Sequence, residues 1–96
     1  MQLKLPHKQP KSKARQRVKD ALEQARPQFK DQVEIHEEKW EGDVLTFSFT
    51  AQGQKISGTL TVGDAHFDLY VKLPFMLRLF EGRIKAEIEK QIKQMV

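Results

Sequence analysis

Apolar and polar residues alternate through most of the stretch from Val44 to Leu73. This alternation is typical of strands that bury one face and leave the other in solvent. A two-residue hairpin loop at Gln52-Gly53 would pair the residues of the first two runs across the strands: Phe49 with Ile56, Phe47 with Gly58, and Leu45 with Leu60. The pattern therefore predicts an antiparallel hairpin in which glycine leaves room for an aromatic ring.

A second two-residue loop at Gly63-Asp64 extends the hairpin into a meander. It predicts three further facing pairs: Leu60 with Phe67, Gly58 with Leu69, and Ile56 with Val71. The two loops, chosen separately, place the same apolar residues on one face, which a slip of one residue would turn outward. The opposite, solvated face carries Thr46, Ser48, Thr50, Ser57, Thr59, Thr61, His66, Asp68, Tyr70 and Lys72.

The first 30 residues predict a short strand followed by a helix. Met1, Leu3 and Leu5 alternate with polar residues up to Pro6. From Pro10 to about Arg26 the apolar residues change to helical spacing, and they are Ala14, Val18, Ala21, Leu22 and Ala25. Ser12 is an N-cap candidate and Pro27 is expected to end or kink the helix, after which Phe29 continues the apolar stripe.

A further strand begins near Val33, but its side-chain parity leaves two arrangements open. A three-residue loop over 41–43 would set Ile35 opposite Phe49, leave Trp40 on the outer face, and turn Glu37 and Lys39 inward. Such inward charges discourage edge-to-edge pairing, and we favour this arrangement. A two-residue loop at Gly42-Asp43 would instead place Trp40 against Leu45, and it requires a bulge near residues 37–39.

After Pro74 the sequence predicts a long amphipathic helix that covers the apolar face of the sheet. Its apolar stripe consists of Leu77, Phe80, Ile84, Ile88, Ile92 and Met95. Gly82 inside the helix indicates either a bend or a close approach of its backbone to the sheet. The whole chain, residues 1–96, is thus expected to be one α+β domain with the order β-α-β-β-β-β-α and both helices on one face of an antiparallel sheet.

Composition excludes several kinds of chemistry. The chain has no cysteine, so disulfides and thiolate sites are impossible. His7, His36 and His66 lie in separate elements, and neither a metal-ligand spacing nor a nucleophile, phosphate-loop or dinucleotide motif occurs. We therefore expect a non-enzymatic protein without a cofactor or metal. The absence of a signal peptide or a membrane-length apolar segment indicates a cytoplasmic location.

The net charge of +4 conceals a strong asymmetry. The first acidic residue is Asp20, and the candidates for anion binding before it are Lys8, Lys11, Lys13, Arg15, Arg17 and Lys19. Residues 31–43 instead carry six acidic residues and one lysine. The basic end is either a solvated helix face, offset by the acidic strand, or a surface that binds nucleic acid weakly and electrostatically.

Several short motifs, taken in order, resemble the bacterial polyhydroxyalkanoic acid system (granule-region) protein family. They are Pro6-His7, the basic helix, Trp40-Glu41-Gly42-Asp43, Ser57-Gly58-Thr59-Leu60, and Leu79-Phe80-Glu81-Gly82-Arg83-Ile84 leading into Glu87-Ile88. The resemblance covers nearly the full length and implies an α+β protein that accompanies polyhydroxyalkanoate synthesis. It supplies no catalytic residue.

The segment Phe75–Phe80 is apolar on more than one helical face, so one sheet cannot bury all of it. Either the first helix or a second subunit, as in a homodimer, covers the surplus, or Phe75, Met76 and Leu79 form a docking surface. With the resemblance, the second reading predicts an accessory protein that binds a storage granule or a granule-associated protein. The alternative function is a small module that binds anions or nucleic acid through its basic end.

Overall fold

A computed structural model describes residues 1–95 of the chain. Five strands and three helices follow one another as β1 (Gln2–Pro6), α1 (Lys11–Phe29), β2 (Val33–Glu41), β3 (Val44–Ala51), β4 (Gln54–Val62), β5 (His66–Lys72), α2 (Phe75–Arg78) and α3 (Glu81–Met95). The α+β class and the order of the elements agree with the sequence prediction, except that the last helix is in two parts.

The strands form one antiparallel sheet in the order β1-β5-β4-β3-β2. The connection between β1 and β2 must therefore cross from one edge of the sheet to the other. Five strands span about 19 Å between the axes of the outermost pair. The 19 residues of α1 span about 28 Å as a helix, so α1 is long enough to make this crossing.

The predicted hairpin between β3 and β4 is confirmed pair by pair. Phe47 lies opposite Gly58, Leu45 opposite Leu60 and Phe49 opposite Ile56. Gln52 and Gly53 both have positive φ, as a tight two-residue loop between twisted strands requires.

The predicted register between β4 and β5 is wrong by two residues. Leu60 pairs with Leu69 rather than with Phe67, and Gly58 pairs with Val71, so the predicted Ile56–Val71 pair does not form. The connection is longer than Gly63-Asp64 because the Gly63 N–H donates to the His66 carbonyl at 2.8 Å. A shift of two leaves every apolar residue on its predicted face, which is why the pattern could not reveal it.

Strand β2 adopts the arrangement that we did not favour. Trp40 pairs with Leu45 across a two-residue turn at Gly42-Asp43, and it packs against the core. The register shifts between Ile35 and Glu37, so a bulge at His36 lets Ile35 still pair with Phe49. Glu37 and Lys39 consequently lie opposite Ser48 and Thr46, residues of the polar face, and they are not the inward charges of our prediction.

Helix α1 runs further than predicted at its C-terminal end. It begins at Lys11 with Pro10 at the N-cap position, so Ser12 lies inside the helix and no side chain caps it. Pro27 does not end the helix as we expected, because α1 continues to Phe29. Pro27 has no N–H to donate, and only two helical residues follow it, so the helix ends shortly after the proline.

The predicted C-terminal helix is interrupted at residues 79–80. The Phe80 N–H donates to the Leu77 carbonyl at 3.0 Å, an i to i−3 bond that tightens the end of α2. Leu77, Ile84, Ile88 and Ile92 pack against the core as predicted, whereas Phe80 is exposed. The side chain of Met95 lies outside the described part of the chain. A Cβ at Gly82 would meet nothing within 4 Å, so its backbone does not approach the sheet closely.

The core lies between one face of the sheet and the two long helices. Buried residues from α1 and from all strands except β2 form a single cluster, namely Leu3, Leu5, Ala14, Val18, Leu45, Leu60, Val62, Phe67, Leu69, Val71 and Leu73. Strand β2 contributes only the partly buried Trp40. The core is therefore centred on β5 and β4, and it thins towards β2.

Candidate functional site

The most exposed large apolar side chains of the described chain lie together at α2. Phe75 is 79% exposed, Met76 65% and Leu79 78%. Phe80, which is 52% exposed, lies next to Leu79, so four of the six residues from Phe75 to Phe80 are exposed and apolar. We call Phe75, Met76, Leu79 and Phe80 the apolar patch.

The short length of α2 explains why these side chains remain exposed. Pro74 lies at the N-cap position of α2, and Leu77 is the one apolar residue of this helix that packs against the core. The remaining apolar side chains of this single turn point in other directions, where the described structure provides no cover. Neither α1 nor the sheet covers them, so the expectation that the first helix covers the surplus is wrong, while cover by a second subunit stays a prediction.

Two arginines flank the apolar patch. Arg78 lies within α2 and Arg83 in the first turns of α3, and both side chains are exposed. Neither forms an ion pair within residues 1–95. The surface therefore combines uncovered apolar groups with free positive charge, which suits contact with an apolar or anionic partner.

The basic end does not form one free cationic surface. Lys11 and Arg15 both reach Asp43 in the β2–β3 turn, at 3.2 and 3.1 Å. The Lys19 ammonium lies 5.2 Å from the centre of the Trp40 ring, which is a cation–π contact. Of the other anion-binding candidates, Lys8, Lys13 and Arg17 have exposed side chains. Half of the six candidates thus hold α1 against β2 and its turn.

An apolar cleft, which the sequence analysis missed, opens between α1 and the β2–β3 edge of the inner face. It consists of two adjoining cavities of about 340 and 260 Å³ that share Leu22, Ile35, Glu38 and Phe49. Phe29 lines the first of these cavities and Ile92 of α3 lines the second. One signal in the sequence could have indicated the cleft. Two large apolar residues, Phe29 at the end of α1 and Ile35 near the start of β2, do not belong to the core.

The histidines have separate structural environments. His7 is buried, and its Nε2 lies 2.8 Å from the Gly63 carbonyl oxygen while Nδ1 accepts from the Gln9 N–H at 3.2 Å. His36 is exposed at the bulge and its Nε2 contacts the Thr50 hydroxyl at 2.7 Å. Within the described residues no three histidine or acidic side chains are grouped as metal ligands.

Comparison with known proteins identifies the family. A family model described as "Putative polyhydroxyalkanoic acid system protein" matches residues 1–96. The chain belongs to this family. No curated protein and no solved structure matches it. The predicted resemblance to the granule-region family is therefore confirmed over the whole chain.

Membership in the granule-region family gives the site a biological context without assigning residues. The family name associates the chain with the polyhydroxyalkanoate system. No helix within residues 1–95 is both long and apolar enough to cross a membrane. The apolar patch is thus an exposed surface on a member of the polyhydroxyalkanoic acid system family.

Proposed function

We propose that this protein is a non-enzymatic accessory protein of polyhydroxyalkanoate storage that attaches to the granule, or to a protein on its surface, through Phe75, Met76 and Leu79. The observation that carries the proposal is the exposure of these three side chains in a granule-region family member. The protein would then reside in the cytoplasm at storage granules.

The energetics are those of reversible attachment. Burying each of these side chains contributes about 1.5–3 kcal/mol, which gives on the order of 5 kcal/mol before the cost of association is subtracted. Arg78 and Arg83 can add contacts with anionic groups at the granule surface. The proposal that the protein is not an enzyme is based on the sequence, which offers no nucleophile or acid–base motif.

A fluorescent fusion of the full chain in cells that accumulate polyester tests the proposal. We expect the wild type to surround the granules and the Phe75→Ser/Leu79→Ser variant to be dispersed. Tyr70→Ser is a matched control, because it removes an exposed aromatic side chain from the opposite face of the sheet. A dispersed wild type, or a double variant that still surrounds granules, would overturn the proposal.

The anion-binding alternative has less support. Lys11, Arg15 and Lys19 already contact Asp43 and Trp40, so fewer cations can face a phosphate backbone. The basic segment over residues 8–19 also contains no aromatic side chain for stacking bases.

A further inference from the structure

The apolar patch lies on the solvent side of α2, opposite the residue that anchors this helix. Leu77 packs against the core. Phe75 and Leu79 lie two positions before and after it, which is about 200° around a helix, so both side chains point to solvent. Arg78 is exposed beside them. An uncovered apolar surface that contains a cation suits a partner whose apolar part adjoins negative charge.

The solvent side of α3, which follows the patch, is basic. Three isoleucines turn one side of this helix to the core, and the exposed residues opposite them are Arg83, Ala86, Lys90 and Lys93. The acidic residues of α3 lie beside this line, where Glu81 is 3.4 Å from the Met1 ammonium and Glu89 is partly buried. Glu87 accepts a hydrogen bond from the Gln91 amide at 3.3 Å. The outward line of α3 therefore presents positive charge.

A shallow hollow connects the apolar patch with this basic line. Phe80 of the patch lines it together with Arg83, Ala86, Glu87 and Lys90. Neither cation forms an ion pair within residues 1–95, and the one carboxylate offsets only one of them, so the hollow is positively charged beside an apolar ring. Apolar side chains bordered by arginine and lysine are typical of protein surfaces that lie in the interface of a lipid layer, where the cations reach phosphate groups.

We propose that this surface binds an anionic phospholipid layer, with the apolar patch inserted among the acyl chains and Arg78, Arg83 and Lys90 against the phosphate groups. The inference rests on the proposed function, because it names the partner of the same patch. A neutral polymer surface would account for the apolar side chains, but it would not account for the cations around them. A lipid layer with anionic headgroups accounts for both.

Flotation of the full chain with lipid vesicles tests the selectivity for negative charge. We expect binding to phosphatidylcholine vesicles that contain about 30% phosphatidylglycerol to be at least about 10-fold tighter than to phosphatidylcholine alone, because each lysine or arginine near an anionic surface contributes about 5-fold. The difference should shrink as salt is added. Equal binding to the two kinds of vesicle, or no binding at about 1 mM lipid, would overturn the proposal.

Two charge variants locate the binding surface. Arg78→Gln/Arg83→Gln should weaken binding to the anionic vesicles at least about 10-fold. Lys8→Gln/Lys13→Gln is the matched control, because it also removes two exposed positive charges, after the end of β1 that pairs with the start of β5, whereas the patch follows the end of β5. The control should lose less than about 3-fold. Losses that are equal, or larger in the control, would place binding at the basic end and contradict the proposal.

A fluorophore at Leu79 tests insertion among the acyl chains. The chain contains no cysteine, so Leu79→Cys can be labelled uniquely with an environment-sensitive nitrobenzoxadiazole dye. We expect its emission to shift to shorter wavelength when the protein binds the anionic vesicles. The same dye at Asp68→Cys, on the outer face of the sheet, should show no shift. Binding without a shift at Leu79 would be purely electrostatic and would overturn the insertion that we propose.

The lipid proposal and the granule proposal fail in different ways. If the fluorescent fusion surrounds granules while the full chain does not bind anionic vesicles, the lipid proposal is overturned and the patch contacts polyester or a protein. If the full chain binds anionic vesicles through Arg78 and Arg83 while the fusion is dispersed in cells, granule attachment is overturned and the lipid proposal is supported.

Discussion

At Gly58 the centre of the sheet has no room for a side chain. A Cβ there would lie 2.1 Å from the Tyr70 backbone oxygen and 2.9 Å from Cζ of Phe47. The backbone of β5 cannot move away without breaking its pairing with β4. We expect Gly58→Ala to lower the free energy of unfolding by about 2–4 kcal/mol, measured by urea denaturation.

Gly82→Ala is the matched control for this substitution. Gly82 lies in the first turn of α3 and a Cβ there would meet nothing within 4 Å. Alanine should therefore be neutral or raise the free energy of unfolding by up to about 1 kcal/mol, through its higher helix propensity. Equal losses at the two glycines would show that the close approach at Gly58 is not the cause.

His7 joins the end of β1 to the β4–β5 connection. Because Nδ1 accepts from the Gln9 N–H, Nε2 carries the proton and donates to the Gly63 carbonyl at 2.8 Å. His7→Ala would leave these two backbone groups unpaired and a cavity beside Phe67, so we expect a loss of about 2–4 kcal/mol. His36→Ala, at an exposed position, should cost less than about 1 kcal/mol in the same measurement.

At the scale of elements, buried and exposed apolar residues lie only a few positions apart around α2. Phe75 and Leu79 contribute little to folding because they are exposed, whereas Leu73, just before α2, is only 6% exposed. Phe75→Ser/Leu79→Ser should therefore lower the free energy of unfolding by less than about 1 kcal/mol, and Leu73→Ser should lower it by about 3 kcal/mol. Thermal unfolding checks both.

A large loss of stability in the double serine variant would place Phe75 and Leu79 in a packed environment. It would also leave the granule proposal dependent on family membership alone. The serine variant must therefore be shown to fold before its cellular location is interpreted.

The bulge in β2 lets an odd-numbered and an even-numbered residue, Ile35 and Trp40, lie on the same face of the sheet. Ile35 and Trp40 are five residues apart, so a regular strand would put them on different faces. One extra residue at His36 lets Ile35 pair with Phe49 and Trp40 with Leu45. The bulge also interrupts the edge of the sheet, which discourages pairing between the edges of two molecules.

For the whole molecule, ion pairs determine how many of the positive charges are available to bind an anionic partner. Asp43 holds Lys11 and Arg15, so we expect affinity for duplex DNA to be weak, independent of sequence and steeply dependent on salt. Asp43→Asn should remove the carboxylate that both cations share and raise the affinity, measured by fluorescence anisotropy at low salt. Sequence-selective binding that persists at physiological salt would instead favour the anion-binding function.

The sequence by itself determined what depends on near neighbours in the chain. The period of two placed each residue of β3, β4 and β5 on its correct face, and Gln52-Gly53 defined the register of one hairpin. The excess of apolar residues at Phe75–Phe80 indicated that one sheet could not bury the whole segment, and Phe75, Met76 and Leu79 are indeed exposed. These features need only local sterics and the pleat of a strand.

Only the tertiary structure decided the features that depend on distant residues. The β4–β5 connection accepts hydrogen bonds from His7 at the Gly63 and Ala65 carbonyl groups, more than 50 residues away along the chain. A shift of two preserves the face of every side chain, so periodicity cannot distinguish the two registers. The position of β1 beside β5, and the cleft that α1 leaves open at β2, likewise arise because helices and strands pack as whole bodies.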